Sequence, residues 1–124
     1  MTGSGVEVRS FPDRDFKIWD YSVSHRQMVI RGLGPAEGSP NVDLHFRGVA
    51  FMRIPAIFRG LSLVAATPEE IAEAQRSVEL GRCDPETVHV LESAGHRYLV
   101  VAASLDVAET DHPMMSTALI HPGP

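Results

Sequence analysis

Residues 41–66 read NVDLHFRGVAFMRIPAIFRGLSLVAA, and this stretch decides the fold class. Val42, Leu44 and Phe46 alternate with polar residues, which is the pattern of a strand with one face on a core and one face in water. The alternation changes phase at Gly48. A bulge or a sharp bend there would explain both the phase change and the glycine. The segment therefore predicts a sheet with a bend inside one of its long strands.

The residues before this stretch predict a short edge strand and a hairpin. Val6 and Val8 alternate with charged residues in 6–11, and Pro12 with the turn-prone residues after it would end that strand. Residues 16–24 and 27–31 are rich in aromatic and branched side chains and are separated by a tight connection. The loop 32–40 contains several Gly and Pro residues and breaks the sheet pattern.

The residues after it begin with a helix signature. Thr67 suits an N-cap, Pro68 suits the first helical position, and Glu70 completes a capping box. Gly81 would supply the left-handed stop, so the predicted helix spans about residues 68–80.

Two more strands follow, at 87–92 and 97–107. The run YLVVAASL at 98–105 is apolar on both faces, which predicts a buried strand between the helix and the other strands. The fold class is therefore α+β: a mostly antiparallel β sandwich or curled half-barrel of six to seven strands with one α-helix. We expect a single domain over residues 1–124, with loose tips at about 1–5 and 113–124.

Composition limits the classes of partner and the compartment. The net charge is -5, and ten of the eleven cationic residues are scattered arginines, so we expect no nucleic-acid surface. The chain shows no secretory signal and no apolar run long enough for a membrane span. Cys83 is the single cysteine and fits a reducing compartment. We expect a bacterial cytoplasmic protein that does not contact membranes.

Six histidines raise the question of a metal site, but their spacing does not match one. A site would require His45 and His89 to meet across strands, with Asp43 or Glu92 nearby. We interpret these histidines as strand residues and predict no metal and no cofactor. Cys83 follows the end of the helix, where the dipole does not activate a thiol.

The sequence Ser22-Val23-Ser24-His25 places hydroxyls beside an imidazole. A nucleophile and its base must meet in space together with an orienting acid, so adjacency in sequence is weak evidence. Turn chemistry explains these four residues better.

Two groups of residues are candidates for binding. Arg47, Arg53 and Arg59 recur every six residues and could form an anion-binding or acidic-partner patch; the alternative is ordinary pairing with carboxylates such as Asp43 or Glu92. Trp19 and Tyr21 fall on one predicted face together with Val23. That face is either a binding surface or part of the core.

The segments WDYSVSHRQMVIRG and NVDLHFRGVAFMRIPAIFRGLSL resemble small bacterial proteins of the polymorphic-toxin immunity type and their uncharacterised relatives. The shared features are an aromatic strand, a Ser-His turn and a V-D-L-x-F-x-G-V strand. The resemblance covers residues 16–66, about two fifths of the chain. It implies a cytosolic protein that covers a partner such as a toxin without catalysis, and it transfers no functional residues.

Two functions therefore stand as hypotheses. The first is a non-enzymatic protein-binding module of immunity type. The second is a small enzyme or ligand-binding protein, for example in small-molecule biosynthesis, with an apolar pocket in the curved sheet. Asp20, His45, His89 or Asp106 would then be the polar or catalytic group of the pocket. A closed pocket of about 300 Å³ or more that contains an acid or a histidine would favour the second hypothesis, and a filled core would count against it. Self-assembly into a homodimer through strand edges is a third prediction.

Overall fold

The computed structural model describes residues 9–34, 38–78 and 83–110. These residues form an eight-stranded antiparallel sheet and one α-helix. The strands are β1 Arg9–Ser22, β2 Gln27–Gly32, β3 Asn41–Arg47, β4 Phe51–Arg53, β5 Ile57–Val64, β6 Val88–Ser93, β7 His96–Val101 and β8 Ser104–Thr110; the helix is α1 Pro68–Ser77, and a 3-10 turn spans Pro85–Thr87. The predicted α+β class, mostly antiparallel with one helix, is confirmed.

The strand order is β4-β7-β6-β5-β1-β2-β3-β8. β3 continues through residues 48–50 into β4, and β7 continues through residues 102–103 into β8. β4 pairs with β7, and β3 pairs with β8. The segment 41–53 (β3 and β4) and the segment 96–110 (β7 and β8) therefore pair with each other at both ends of the sheet. The sheet curls on itself without closing into a barrel.

The structure has eight strands against the six to seven predicted. Two predicted strands are each divided by a bend, whereas the predicted strands 6–11 and 16–24 are joined in β1, which is described from Arg9. The first bend is at Gly48, as predicted, with a φ of 68°. The second interrupts the predicted strand 97–107, which stops at Val101 and resumes at Ser104.

The prediction that Pro12 ends the first strand is wrong. β1 runs through it, and the pairing of β1 with β5 shifts register between Phe11 and Asp15. The proline lies within this irregularity, where its missing N–H removes no regular ladder bond.

Apolar side chains pack on both sides of the curled sheet. The interior cluster includes Phe16, Met28, Ile30, Leu44, Phe46, Phe58, Leu91 and Val100. A smaller cluster lies between α1 and the outer face of β6 and β7, and it includes Ala74, Cys83, Val88, Val90, Leu99 and Val101. β7 supplies Leu99 and Val101 to one cluster and Val100 to the other, which confirms that this strand is buried on both faces.

Helix α1 begins as predicted. The Thr67 hydroxyl oxygen accepts a hydrogen bond from the Glu70 N–H at 3.1 Å, and the Glu70 carboxylate accepts one from the Thr67 N–H at 2.9 Å. Arg97 on β7 donates to the same carboxylate at 2.8 and 3.0 Å and so ties the helix to the sheet. The helix ends at Ser77, with Val78 already extended, so it is shorter than the predicted span of about 68–80. Gly81 and the predicted loose tips lie outside the described residues. Among the helical residues that the structure describes, no helix is long and apolar enough to cross a membrane.

Candidate functional site: a pocket at the open end of the sheet

A pocket of about 350 Å³ lies where the curled sheet stays open. Its walls come from β5, α1, the 3-10 turn, β6 and β8, and they include Leu63, Ala66, Ile71, Glu86, His89 and Leu105. The walls are mainly aliphatic, and the pocket is partly open to solvent. Only two lining residues carry ionisable side chains, Glu86 and His89.

The pocket exists because strand pairing stops there. β5 ends at Val64, and its pairing with β6 extends only from Ser62 opposite Glu92 to Val64 opposite Val90. Val88 and His89 extend beyond that ladder. In the described part of the chain, β8 pairs only with β3. The space between β8 and the end of β5 is therefore lined by side chains of the sheet and the helix rather than closed by a further strand.

His89 has a defined place in this pocket. Its ring lies edge-on to Phe46, with ring centroids 5.8 Å apart, and its Nε2 is 3.2 Å from the Ala102 carbonyl oxygen. A carbonyl oxygen can only accept, so Nε2 carries the proton and donates. Burial lowers the pKa of His89 below its ordinary value, against an opposing effect of the hydrogen bond to Ala102. The imidazole is therefore neutral at pH 7, and Nδ1 is an acceptor.

The described lining contains no Ser, Thr, Cys or Lys that could act as a nucleophile. A pocket with aliphatic walls and one well-placed polar group can bury an apolar molecule and orient it by a hydrogen bond.

Two of the other candidate catalytic residues lie together outside the pocket. His45 on β3 is opposite Asp106 on β8, and Asp106 is ion-paired with Arg47. His45 Nε2 lies 2.9 Å from the Gln27 side-chain oxygen and donates to it. Burial, followed by the nearby Arg47 charge, lowers the pKa of His45, while Asp106 and Asp43 act in the opposite direction.

Asp20, the fourth candidate, lies on β1 opposite Val29, just after a register shift. It is therefore on the face of β1 and β2 that points away from Met28 and Ile30, two residues of the interior cluster. The structure brings His89 alone of the four candidates into the pocket.

The metal arrangement considered from the sequence is not assembled in the described residues. His45 and Phe46 are neighbours on β3 and point to opposite faces, and His89 contacts Phe46. The two histidines are therefore on opposite sides of the sheet. Residues 9–34, 38–78 and 83–110 contain no group of three or more His, Cys, Asp or Glu side chains arranged to hold a metal.

The three arginines are each paired with a different carboxylate. Arg47 contacts Asp106, Arg53 contacts Glu73 on α1, and Arg59 Nη1 lies 3.4 Å from Asp15. Asp43 and Glu92, the partners considered from the sequence, instead pair with Arg31 and Arg97. Arg59 also lines a second depression of about 370 Å³ with Ser62 and Glu92, which is more polar and more open than the His89 pocket.

Trp19 and Tyr21 do not share a face. The register shift between Ile18 and Asp20 places Tyr21 opposite Met28. The Trp19 ring lies over the Arg31 guanidinium at 5.2 Å, on the other face of β2. Trp19 is partly buried and lines a depression of about 240 Å³, whereas Tyr21 is 39% exposed.

The remaining candidate groups have local explanations. The Ser22 and Ser24 hydroxyls both lie 3.2 Å from His25 Nδ1 in the turn between β1 and β2. No carboxylate of a described residue contacts the His25 ring to complete a triad. Cys83 is buried in the cluster beneath α1, with its sulfur 3.8 Å from the Thr87 hydroxyl.

The sequence pointed to one residue of the pocket, His89, and missed the others. Leu63, Ile71 and Leu105 look like ordinary core residues in their own elements, and no local signal shows that they face a shared cavity. No protein-family model matches this chain, and neither a curated protein nor a solved structure matches it.

Proposed function

We propose that this protein is a non-catalytic binding protein that holds a small, mainly apolar molecule in the pocket beside His89. The observation that carries the proposal is a cavity of about 350 Å³ with mainly aliphatic walls, lined by the His89 imidazole and, among ionisable side chains, otherwise only by Glu86. Ligand sites in proteins are typically about 300–1,000 Å³, largely apolar, with a few orienting polar groups.

The position of the pocket also supports the proposal. It lies at the mouth of a curved sheet, where a ligand can enter without unpairing a strand of the described sheet. α1 forms part of the wall through Ile71, so a ligand would contact both the sheet and the helix.

The proposal is tested with 2-methoxynaphthalene, a neutral two-ring probe that fits the cavity. Titration into ¹⁵N-labelled protein should shift the amide resonances of Leu63, Ile71, His89 and Leu105. Ile71→Trp should abolish these shifts, because the larger ring fills the cavity from the helix side. Arg76→Trp places the same ring on an exposed position of the same helix and is the matched control.

Two results would contradict the proposal. One is the absence of saturable shifts in the wild-type protein with either this probe or its hydroxyl analogue, 2-naphthol. The other is binding that persists unchanged in a folded Ile71→Trp variant, because the probe would then occupy a different place.

A protein-binding module of immunity type is the second candidate function. The observation in its favour is the β1–β2 hairpin, where Val23 is 74% exposed and Tyr21 is 39% exposed. Exposed apolar side chains grouped at a hairpin tip suit contact with a partner protein, such as a toxin. The resemblance of residues 16–66 to immunity-type proteins agrees with this candidate.

This candidate is tested by affinity capture from the native host with three forms of the protein. A partner retained by the wild type and by Ile57→Ser, but lost from Tyr21→Ser/Val23→Ser, would support it. Ile57 is 52% exposed on β5 and controls for the loss of an apolar surface residue elsewhere. A partner retained equally by all three forms would count against the hairpin. Light scattering of the same samples tests the predicted homodimer.

A further inference from the structure

We infer that the pocket selects neutral alcohols and phenols, and that His89 Nδ1 accepts the hydrogen bond from the ligand hydroxyl. This inference rests on the proposed function and adds the chemical class of the ligand.

The two ring nitrogens of His89 have different hydrogen-bonding roles. Nε2 donates to the Ala102 carbonyl oxygen at 3.2 Å, which fixes the tautomer. Nδ1 then has a lone pair and no proton, and no described residue donates to it. It is the ring nitrogen that remains for a ligand, and it can only accept.

Apart from Glu86, the residues that line the pocket with His89 are aliphatic. A ligand that covers Nδ1 without donating to it therefore leaves a buried acceptor unpaired. A hydroxyl satisfies the acceptor, whereas an ether oxygen of similar size cannot. The pocket should therefore distinguish the two.

The charge around the pocket disfavours anionic ligands. Glu86 is exposed and lines the pocket, and the whole chain carries a net charge of -5. The described lining contains no Lys or Arg to pair with an anion. A ligand carboxylate would therefore lose its water without gaining a cation, so neutral ligands are favoured over carboxylates.

The experiment compares three probes of one ring system by calorimetry at pH 7. We expect 2-naphthol to bind about tenfold more tightly than 2-methoxynaphthalene, which corresponds to one satisfied hydrogen bond. The anion 2-naphthoate should bind more weakly than both. In His89→Phe, which keeps a flat ring against Phe46, 2-naphthol and 2-methoxynaphthalene should bind equally.

A second measurement uses only the wild-type protein, in case His89→Phe does not fold. Long-range ¹⁵N–¹H spectra of the imidazole should show the Nε2-protonated tautomer. Addition of 2-naphthol should shift the Nδ1 resonance of His89, and 2-methoxynaphthalene should shift it much less.

The outcomes separate this inference from the proposed function. Equal binding of the hydroxyl and ether probes to the wild type, or an Nδ1-protonated ring, overturns the ligand class but leaves the pocket as a binding site. A preference for 2-naphthol that persists in folded His89→Phe overturns the role of His89. Failure of every probe to bind overturns the proposed function itself.

Discussion

Arg31 and Asp43 form an ion pair that is almost completely buried. Their side chains are 0% and 3% exposed, and two parallel hydrogen bonds of 2.7 and 3.0 Å join the guanidinium to the carboxylate. They lie opposite each other on β2 and β3. Trp19 covers the guanidinium from the side of β1. A buried charge is tolerated here because both groups have fixed, matching partners.

Removal of one partner of this pair should be strongly destabilising. We expect Asp43→Ala to lower the free energy of unfolding by about 3–5 kcal/mol, because it leaves a buried guanidinium without its carboxylate. Asp106→Ala removes the partner of Arg47, a pair whose side chains are 46% and 65% exposed, and should cost less than about 1 kcal/mol. Urea unfolding monitored by Trp19 fluorescence measures both.

A double variant separates the effect of the buried charges on stability from the effect of side-chain packing. Arg31→Met/Asp43→Leu removes both charges and keeps apolar volume, so it should be more stable than Asp43→Ala alone. If Asp43→Ala were no more damaging than Asp106→Ala, the pair would not be isolated from water as the structure shows.

At the scale of elements, Gly48 sets the bend between β3 and β4. Its φ is 68°, and a Cβ added there would lie 2.9 Å from the Cβ of Ala103, in the other bend. The two bends therefore approach each other closely, one in each of the lengths of chain that form the ends of the sheet. Gly95, in the β6–β7 turn, also has a positive φ, 80°, but a Cβ there meets no atom within 4 Å.

These two glycines form a matched pair. Gly95→Ala should cost about 1–2 kcal/mol of unfolding free energy, from the left-handed backbone alone. Gly48→Ala should cost about 2–4 kcal/mol, because steric overlap with Ala103 adds to the same backbone term. Gly48→Ala/Ala103→Gly should recover the steric part, so that its stability approaches that of Gly95→Ala in thermal unfolding. No recovery in the double variant would contradict the close approach of the two bends.

The start of α1 should make stability depend on pH. The guanidinium of Arg97 lowers the pKa of Glu70 to about 2 from an ordinary 4.5, and the N–H of Thr67 contributes in the same direction. A carboxyl with a lowered folded-state pKa stabilises the fold above its unfolded pKa, and the stabilisation is lost as the pH falls from 4.5 toward 2.

We therefore expect Glu70→Gln to be less stable than wild type by about 1–2 kcal/mol at pH 7, with allowance for screening of a partly exposed pair. The difference should shrink as the pH is lowered toward about 3. Glu69→Gln, an exposed neighbour in the same helical turn, is the control. A difference between Glu70→Gln and wild type that stays constant with pH in urea unfolding would contradict this account.

At the scale of the whole molecule, the two apolar clusters share their strands. Leu99 and Val100 are adjacent on β7 and fully buried, and they belong to the cluster beneath α1 and to the interior cluster respectively. Neither cluster can therefore lose its packing without disturbing the strand that supports the other. The described residues should unfold as one cooperative unit.

Truncation of one buried leucine in each cluster tests whether the described residues unfold as one cooperative unit. Leu44→Ala in the interior and Leu99→Ala beneath the helix should each cost about 2–5 kcal/mol, since both side chains are 0% exposed. In each variant, far-UV circular dichroism and Trp19 fluorescence should give the same urea midpoint. Separate transitions in Leu99→Ala would show that the helix and its cluster unfold independently.

The pattern of neighbouring residues was sufficient to predict most of the strands and the start of the helix. The alternation in 41–47, the positive-φ glycine at 48 and the capping box at Thr67–Glu70 are properties of neighbouring residues, so they could be interpreted before any partner was known. The same reasoning failed at Pro12 and at Tyr21. A bulge changes which residues face the core, and it arises from pairing with another strand, which local periodicity does not report.

The sequence by itself determined that the described residues form an antiparallel sheet with one helix, because hydrophobic periodicity and capping act over a few residues. Only the tertiary structure decided the site. The pocket depends on where β5 ends, how β7 bends into β8 and which side of β6 carries His89, so its walls come from residues as distant in sequence as Leu63 and Leu105. Contacts between residues so far apart are set by packing and strand order, which no local pattern records.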